Sequence, residues 1–229
     1  MGKPVLRAIY EDYYARIVAR VPTGPVLEIG GGSGNLKAVL PHAVSTDIVA
    51  APWLDVVADA QTLPFADGCF AGIVMVDVLH HLAYPRRFLA EATRVLRPGG
   101  RVVMVEPGIT PASYLFFRLF HPEPVRMRAD PLGDAPLNDP SDPWDANQGV
   151  PTLLFRRHAA RLAAAFPHLA LREASWLSLF AYPLSGGFRP WSLLPACAIR
   201  PLLALEDRLM PVLGPAMAFR LLVVLERTR

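Results

Sequence analysis

A chain of 229 residues that is 52% apolar and 19% charged can bury one substantial core, which excludes a mainly disordered protein and argues for a single domain over 1–229 rather than two comparable ones. The formal charge of +3 comes from arginines scattered among helices and loops with no basic block, so no nucleic-acid footprint is expected. Cys69 and Cys197 lie far apart and have no His or Cys neighbour at metal-ligand spacing, so neither a zinc site nor a disulfide framework is expected, and a reduced, cytoplasmic setting is the default.

Met1 to Arg20 reads as an amphipathic helix with Val5, Leu6, Ile9, Tyr13 and Ile17 on one side, and its charges break up any apolar core of the signal-peptide kind. Val26 to Ile29 is a short apolar strand running straight into a glycine loop. A helix from about Asn35 to Leu40 is expected next, stopped by Pro41, then a strand ending at Asp47 and another from Asp55 to Ala58 that ends at Asp59. Phe70 to Val76 is nearly all apolar, as a strand covered on both faces must be. Pro85 to Leu96 has helical period and ends at Pro98-Gly99-Gly100, and Arg101 to Val105 is the next buried strand. Strands alternating with helices at short spacing imply an α/β fold with a mostly parallel, doubly wound sheet.

From Pro107 to Pro151 the pattern changes to a loop-rich insertion, with seven prolines between Pro111 and Pro143. Loops this long inside a compact domain are usually functional or disordered. Helical period returns from Thr152 to Phe166, and the last strands are Ala170 to Leu179 and Phe219 to Leu225. Between them, 180–218 is an apolar, Pro-rich segment in which Arg189, Arg200, Glu206, Asp207 and Arg208 interrupt every run before it reaches the ~18 residues of a spanning helix.

The chemistry starts at Glu28-Ile29-Gly30-Gly31-Gly32-Ser33-Gly34, between a strand and a helix. Glycines suit a place where backbone passes close to a ligand, and a helix N-terminus offers free N–H groups to a carboxylate or phosphate. The dinucleotide fingerprint would have a third small residue at position 35, where Asn35 stands. The loop is instead similar to motif I of class I S-adenosylmethionine (SAM)-dependent methyltransferases. Further pieces follow in order: Asp47 at a strand end, Asp59-Ala60 before Leu63-Pro64-Phe65, Leu79-His80-His81-Leu82, and Leu96-Arg97-Pro98-Gly99-Gly100. As a set, covering about Val21 to Glu106, they resemble the methyltransferase type 11 group, which includes ubiquinone and menaquinone C-methyltransferase-like enzymes.

That resemblance implies a Rossmann-like three-layer α/β/α fold whose last strand runs antiparallel, with SAM as cofactor. It implies a cofactor site at Glu28, Gly30, Gly31, Gly32, Gly34, Asp47, Ile48, Asp59, Ala60, Gln61 and Val76, with Asp47 taking the ribose hydroxyls and Asp59-Ala60 the adenine. One departure is Ala71, where many relatives carry Asp; we read it as a local structural change.

Methyl transfer from a sulfonium is an in-line displacement, so a base is needed only where the acceptor sheds a proton. His81, or else His80, just past the fourth strand, is the candidate base; a structural cap or a histidine of the cofactor wall is the competing reading for both. His121 and Glu123 are further candidates. The aspartates between Asp130 and Asp145 lack the spacing of a calcium loop, so no metal is expected. The aromatic residues and arginines of the 180–218 segment suit a small or lipid-like acceptor entering between it and the 107–151 insertion, with peripheral membrane contact. A SAM-binding accessory subunit without turnover is the alternative, and a nicotinamide-linked oxidoreductase is disfavoured by Asn35 and Asp59-Ala60.

Overall fold

The computed structural model describes residues 3–229, so Met1 and Gly2 of the expected first helix lie outside the described residues. Seven strands form one sheet in the order β3-β2-β1-β4-β5-β7-β6. They are β1 (Val26–Ile29), β2 (Val44–Asp47), β3 (Val56–Val57), β4 (Phe70–Val76), β5 (Leu96–Pro107), β6 (Leu169–Leu177) and β7 (Arg220–Arg227). The first five pair in parallel, and β7 runs antiparallel between β5 and β6. This is the Rossmann-like sheet expected from the sequence. The helices are α1 (Pro4–Val18), α2 (Pro85–Val95), α3 (Pro111–Phe120), α4 (Val150–Thr152), α5 (Ala159–Ala165), α6 (Ala181–Ser185) and α7 (Ile199–Met217), with a π turn, Leu153–Arg157, joining α4 to α5.

Side-chain alternation along the strands builds the layers. Ile73, Met75, Val102, Met104, Leu221 and Val223 enter one core with Phe88 and Leu89 of α2 and Leu162 of α5. Val74, Val103, Val105, Leu222 and Val224 enter the other, against Ile9, Tyr13 and Ile17 of α1.

Three expectations need correction. No α-helix follows the glycine loop: only single 3-10 turns form, at Gly31–Ser33 and Leu36–Ala38. Gly30 and Gly34 both take left-handed backbone (φ 77° and 64°), and the few residues left before Pro41 are too short for a helix to propagate. The helix-dipole argument therefore fails here, and the loop acts by close backbone approach. Second, the third strand shrinks to Val56–Val57, so Asp59 stands just beyond it. Third, the start of the 107–151 insertion is helical: Thr110 and Ser113 form a reciprocal capping box that begins α3. The rest of the insertion is pinned rather than loose. Asn138 Nδ2 donates to the His80 carbonyl at 2.9 Å, the Asn147 N–H donates to the same oxygen at 2.9 Å, and Arg126 ties Leu137, Asn138 and Ala146 together.

Ala71 lies at the N-terminal end of β4, fully buried and at the opposite sheet edge from the residues that end β1 and β2. The departure from Asp is thus remote from the site.

Candidate active site

In open α/β sheets ligands sit at the carboxyl ends of the strands, where the chain order reverses. Here that point lies between β1 and β4. Gly30 follows β1, Asp47 ends β2 and Asp77 follows β4, so short connections deliver their groups to one edge.

Two connected cavities open there. The smaller, about 80 Å³, is bounded by Ile48, Asp59, Ala60, Gln61 and Leu82. The larger, about 400 Å³, is bounded by Tyr10, Tyr14, Glu28, Gly32, Val76 and Asp77. Gly30, Asp47, Val78 and His81 border both. Nine of the eleven residues expected at a cofactor site line these lobes. Gly31 and Gly34 instead face Trp53, whose indole N–H donates to the Gly31 carbonyl at 3.0 Å and whose ring would lie 3.0 Å from a Cβ at position 34.

The glycine loop is shaped for close approach. A Cβ on Gly30 would fall 2.1 Å from Val78, and one on Gly32 3.0 Å from the Asp47 carboxylate. A side chain at position 30 would strike Val78, and one at 32 would crowd the Asp47 carboxylate. Glu28 is buried beneath the loop and accepts a short hydrogen bond from Ser45 Oγ; burial raises its pKa. Asp59 accepts from the Gln61 N–H at 2.8 Å and from Gln61 Nε2, which fixes the turn lining the smaller lobe.

The two histidines sit on a 3-10 turn, Leu79–His81, and differ sharply. His80 is 2% exposed, with Nδ1 2.8 Å from Glu106 Oε2 and Nε2 3.5 Å from Glu123 Oε2. Burial by itself would lower its pKa, but the hydrogen bonds to Glu106 and Glu123 outweigh it and raise the value to about 9. Burial likewise opposes the charge on Glu123, and the bond to His80 reverses this and lowers its pKa to about 2. His80 is thus an imidazolium shared by two carboxylates. His81 has the opposite character: burial, then the charge on His80, lowers its pKa. Its Nδ1 lies 3.2 Å from the Asp145 carbonyl, so a neutral ring donates there and leaves Nε2 as an acceptor. His80, His81 and Glu123 also bring ligand-type atoms within 4.8 Å of one another. Both nitrogens of His80 already face carboxylates, so a cation would have to displace the proton that holds this group together.

Sequence reasoning missed a second buried group. Asp77 takes left-handed backbone (φ 58°), accepts from Tyr10 Oη at 2.9 Å and pairs closely with Arg220. Arg220 is 3% exposed and stacks over Tyr182 at 4.0 Å. It reaches this edge because β7 is antiparallel and so begins where its neighbours end. The only signal was Arg220 opening an otherwise apolar strand.

A third cavity, about 570 Å³, lies between the 107–151 insertion and the 180–218 segment. Phe116, Phe120, Tyr182, Leu184, Trp191 and Leu193 supply most of its wall, and Phe188 borders both it and the 400 Å³ lobe. Within the apolar 180–218 segment, Tyr182, Phe188, Trp191 and Leu193 line it.

Residues 27–104 match a family model described as a methyltransferase domain. Among its relatives is a demethylmenaquinone methyltransferase of Renibacterium salmoninarum, 33% identical over 105 residues that cover 39% of this chain and 44% of the relative. Another is the phthiotriol/phenolphthiotriol dimycocerosates methyltransferase of Mycobacterium tuberculosis, 39% identical over 109 residues covering 39% of this chain and 40% of the relative. The matched stretches thus span less than half the length of either. A solved geranyl diphosphate C-methyltransferase from Streptomyces coelicolor has the same fold: TM-score 0.56 at 13% identity, covering 96% of this chain and 80% of that one. A SAM-dependent methyltransferase from Archaeoglobus fulgidus gives TM-score 0.58 at 13% identity, covering 96% and 94%.

Proposed function

We propose that this chain transfers the methyl group of SAM to a small, lipid-like acceptor. The observation that carries the reading is the junction at Phe188, where a two-lobed cavity edged by Glu28, Asp47, Asp59 and Asp77 at the sheet switch point meets a more apolar one. In this reading Asp47 accepts from the ribose hydroxyls, Ile48 and the Asp59-Ala60-Gln61 turn hold the adenine, and Glu28, Gly30, Gly32 and Val76 border the methionine end, with Gly31 and Gly34 shaping the loop from behind. The glycines fit such a ligand because a Cβ at position 30 would strike Val78 and one at position 32 would crowd the Asp47 carboxylate that this reading gives to the ribose.

Bound SAM supplies an electrophilic methyl on a sulfonium. The chain's own contribution is alignment and exclusion of water. Tyr10 and Tyr14 of α1 close the larger lobe from above the sheet, and the Asp77–Arg220 pair fixes α1 against β4 and β7. His81, neutral and with Nε2 unprotonated, takes the proton from an acceptor that must lose one; His80, already an imidazolium, cannot, and positions the turn instead.

Lipid-like acceptors are supported by the apolar wall of the third cavity and by its surroundings. Leu115, Leu119 and Phe120 of α3 and Leu193 are each more than half exposed around it. The segments 111–120 and 186–200 contain no acid and carry Arg118, Arg189 and Arg200, which matches this face to an anionic bilayer surface. Among the described residues no helix is long and apolar enough to cross a membrane, so contact would be peripheral. The test is incubation of the protein with methyl-labelled SAM and an organic-solvent extract of cells. Label in an apolar product supports the reading; label only in water-soluble products removes the lipid-like acceptor.

A further inference from the structure

The third cavity has two exposed apolar residues at its mouth, Phe188 at 69% and Leu193 at 71%, while His121 and Glu123 are half-buried beside the fully buried His80. Polar side chains drawn inward cost desolvation unless something pairs with them. The Glu123 carboxylate is paired through one oxygen only: Gln148 Nε2 and His80 Nε2 both address Oε2, and no donor among the described residues reaches Oε1. His121 presents the complementary group. Its Nδ1 accepts the Glu123 backbone N–H at 3.3 Å and burial lowers its pKa, so the neutral ring carries its proton on Nε2. A free acceptor and a free donor thus stand two residues apart on one wall.

We propose that this pair recognises a neutral hydroxyl, so that the acceptor is an uncharged hydrocarbon alcohol or phenol bound hydroxyl-inward with its chain at the exposed aromatic mouth. The proposal rests on the cavity being the acceptor site. A hydroxyl is the group that both donates to Oε1 and accepts from Nε2–H. Charge points the same way. Glu106, His80 and Glu123 together carry one net negative charge, and an anionic head group brought to Glu123 would meet it in a half-buried, poorly screened place. Arg189 is the sole cation among the lining residues, and it lies at the mouth with a guanidinium nitrogen donating to the Phe120 carbonyl at 2.7 Å. A phosphorylated acceptor would therefore find its counter-charge at the wrong end.

Calorimetric titration of farnesol and of farnesyl diphosphate into protein saturated with S-adenosylhomocysteine tests this on the unmodified chain. The alcohol is expected to bind at least tenfold more tightly. Glu123→Gln, checked for folding by its S-adenosylhomocysteine affinity, should weaken the alcohol by about tenfold, the effect of losing a charge-assisted bond, and narrow the gap to the diphosphate. If the diphosphate binds as tightly or more tightly to the unmodified protein, the hydroxyl-inward proposal is overturned while the acceptor cavity stands. If neither ligand binds although S-adenosylhomocysteine does, the cavity is not the acceptor site and both readings fall.

Discussion

The two sides of the site are built by different means. The lobes at the sheet edge come mainly from residues 28–83 with α1, closed by Asp139 to Trp144 of the insertion and by Phe188, and much of their shape is backbone: a left-handed Gly30, a bare Gly32, a strand-end Asp47 and a turn tied by Asp59. The third cavity comes from 116–123 and 182–193, far apart in sequence, and apart from the turn at Gly186 and Gly187 its wall is mostly side chain. Backbone that must pass close to a ligand tolerates few residues, so it leaves a motif. An apolar wall can be assembled from many combinations of aromatic and aliphatic residues, so it leaves only a composition.

This contrast can be broken most sharply at the histidine turn, where the two sides meet. His81→Ala should lower methyl transfer at saturating SAM roughly 100- to 10,000-fold, beyond any weakening of the cofactor that follows from its place on both lobes. Turnover near normal in the label-transfer assay would mean that alignment alone suffices.

Next in size is the buried pair that joins α1 to the sheet. Asp77→Ala strands the Arg220 guanidinium in a site where it is 3% exposed, and should cost about 3–5 kcal/mol in urea unfolding. A loss within experimental error would show that the pair does not hold the two sides together.

On the cofactor side, Asp47→Ala should weaken SAM roughly ten- to hundredfold, about 1.5–3 kcal/mol for a charge-assisted bond. The same change should leave farnesol binding to the S-adenosylhomocysteine-free protein unaltered, since Asp47 does not line the third cavity.

The titration of His80 gives an effect of similar size with a defined sign. Its pKa rises from 6.5 to about 9 in the folded chain, so the folded state holds the extra proton between those values. The stabilisation it contributes is complete below about pH 6.5 and is lost as pH rises through about 9, by roughly 3 kcal/mol. His80→Gln should flatten that alkaline decline in a pH series of urea melts. Smallest is the effect at the exposed face, where Leu119→Glu should reduce sedimentation with anionic vesicles several-fold without changing SAM affinity.

Much of the first side was legible in advance. Val26 to Ile29, the glycines, Asp47 and the Asp59 turn were placed in order because each is local. The glycine loop's helix was not, because propagation depends on how little chain Gly34 and Pro41 leave between them. Glu106, Asp77 and Arg220 escaped because their partners are 26 to 143 residues away. The insertion read as loop because its prolines hid α3, whose start depends on a Thr110–Ser113 exchange rather than on period. The two segments that border the third cavity stood out in the sequence, but Phe116 and Phe120 of its wall did not, because they lie in the stretch read as loop.

The central claim, that the two lobes at the switch point are a SAM site, is tested most directly by parallel calorimetric titration of S-adenosylhomocysteine and NAD into the unmodified protein. The account predicts one equivalent of S-adenosylhomocysteine bound and no comparable binding of NAD. Saturable NAD binding of equal strength, or no binding of S-adenosylhomocysteine, would contradict it.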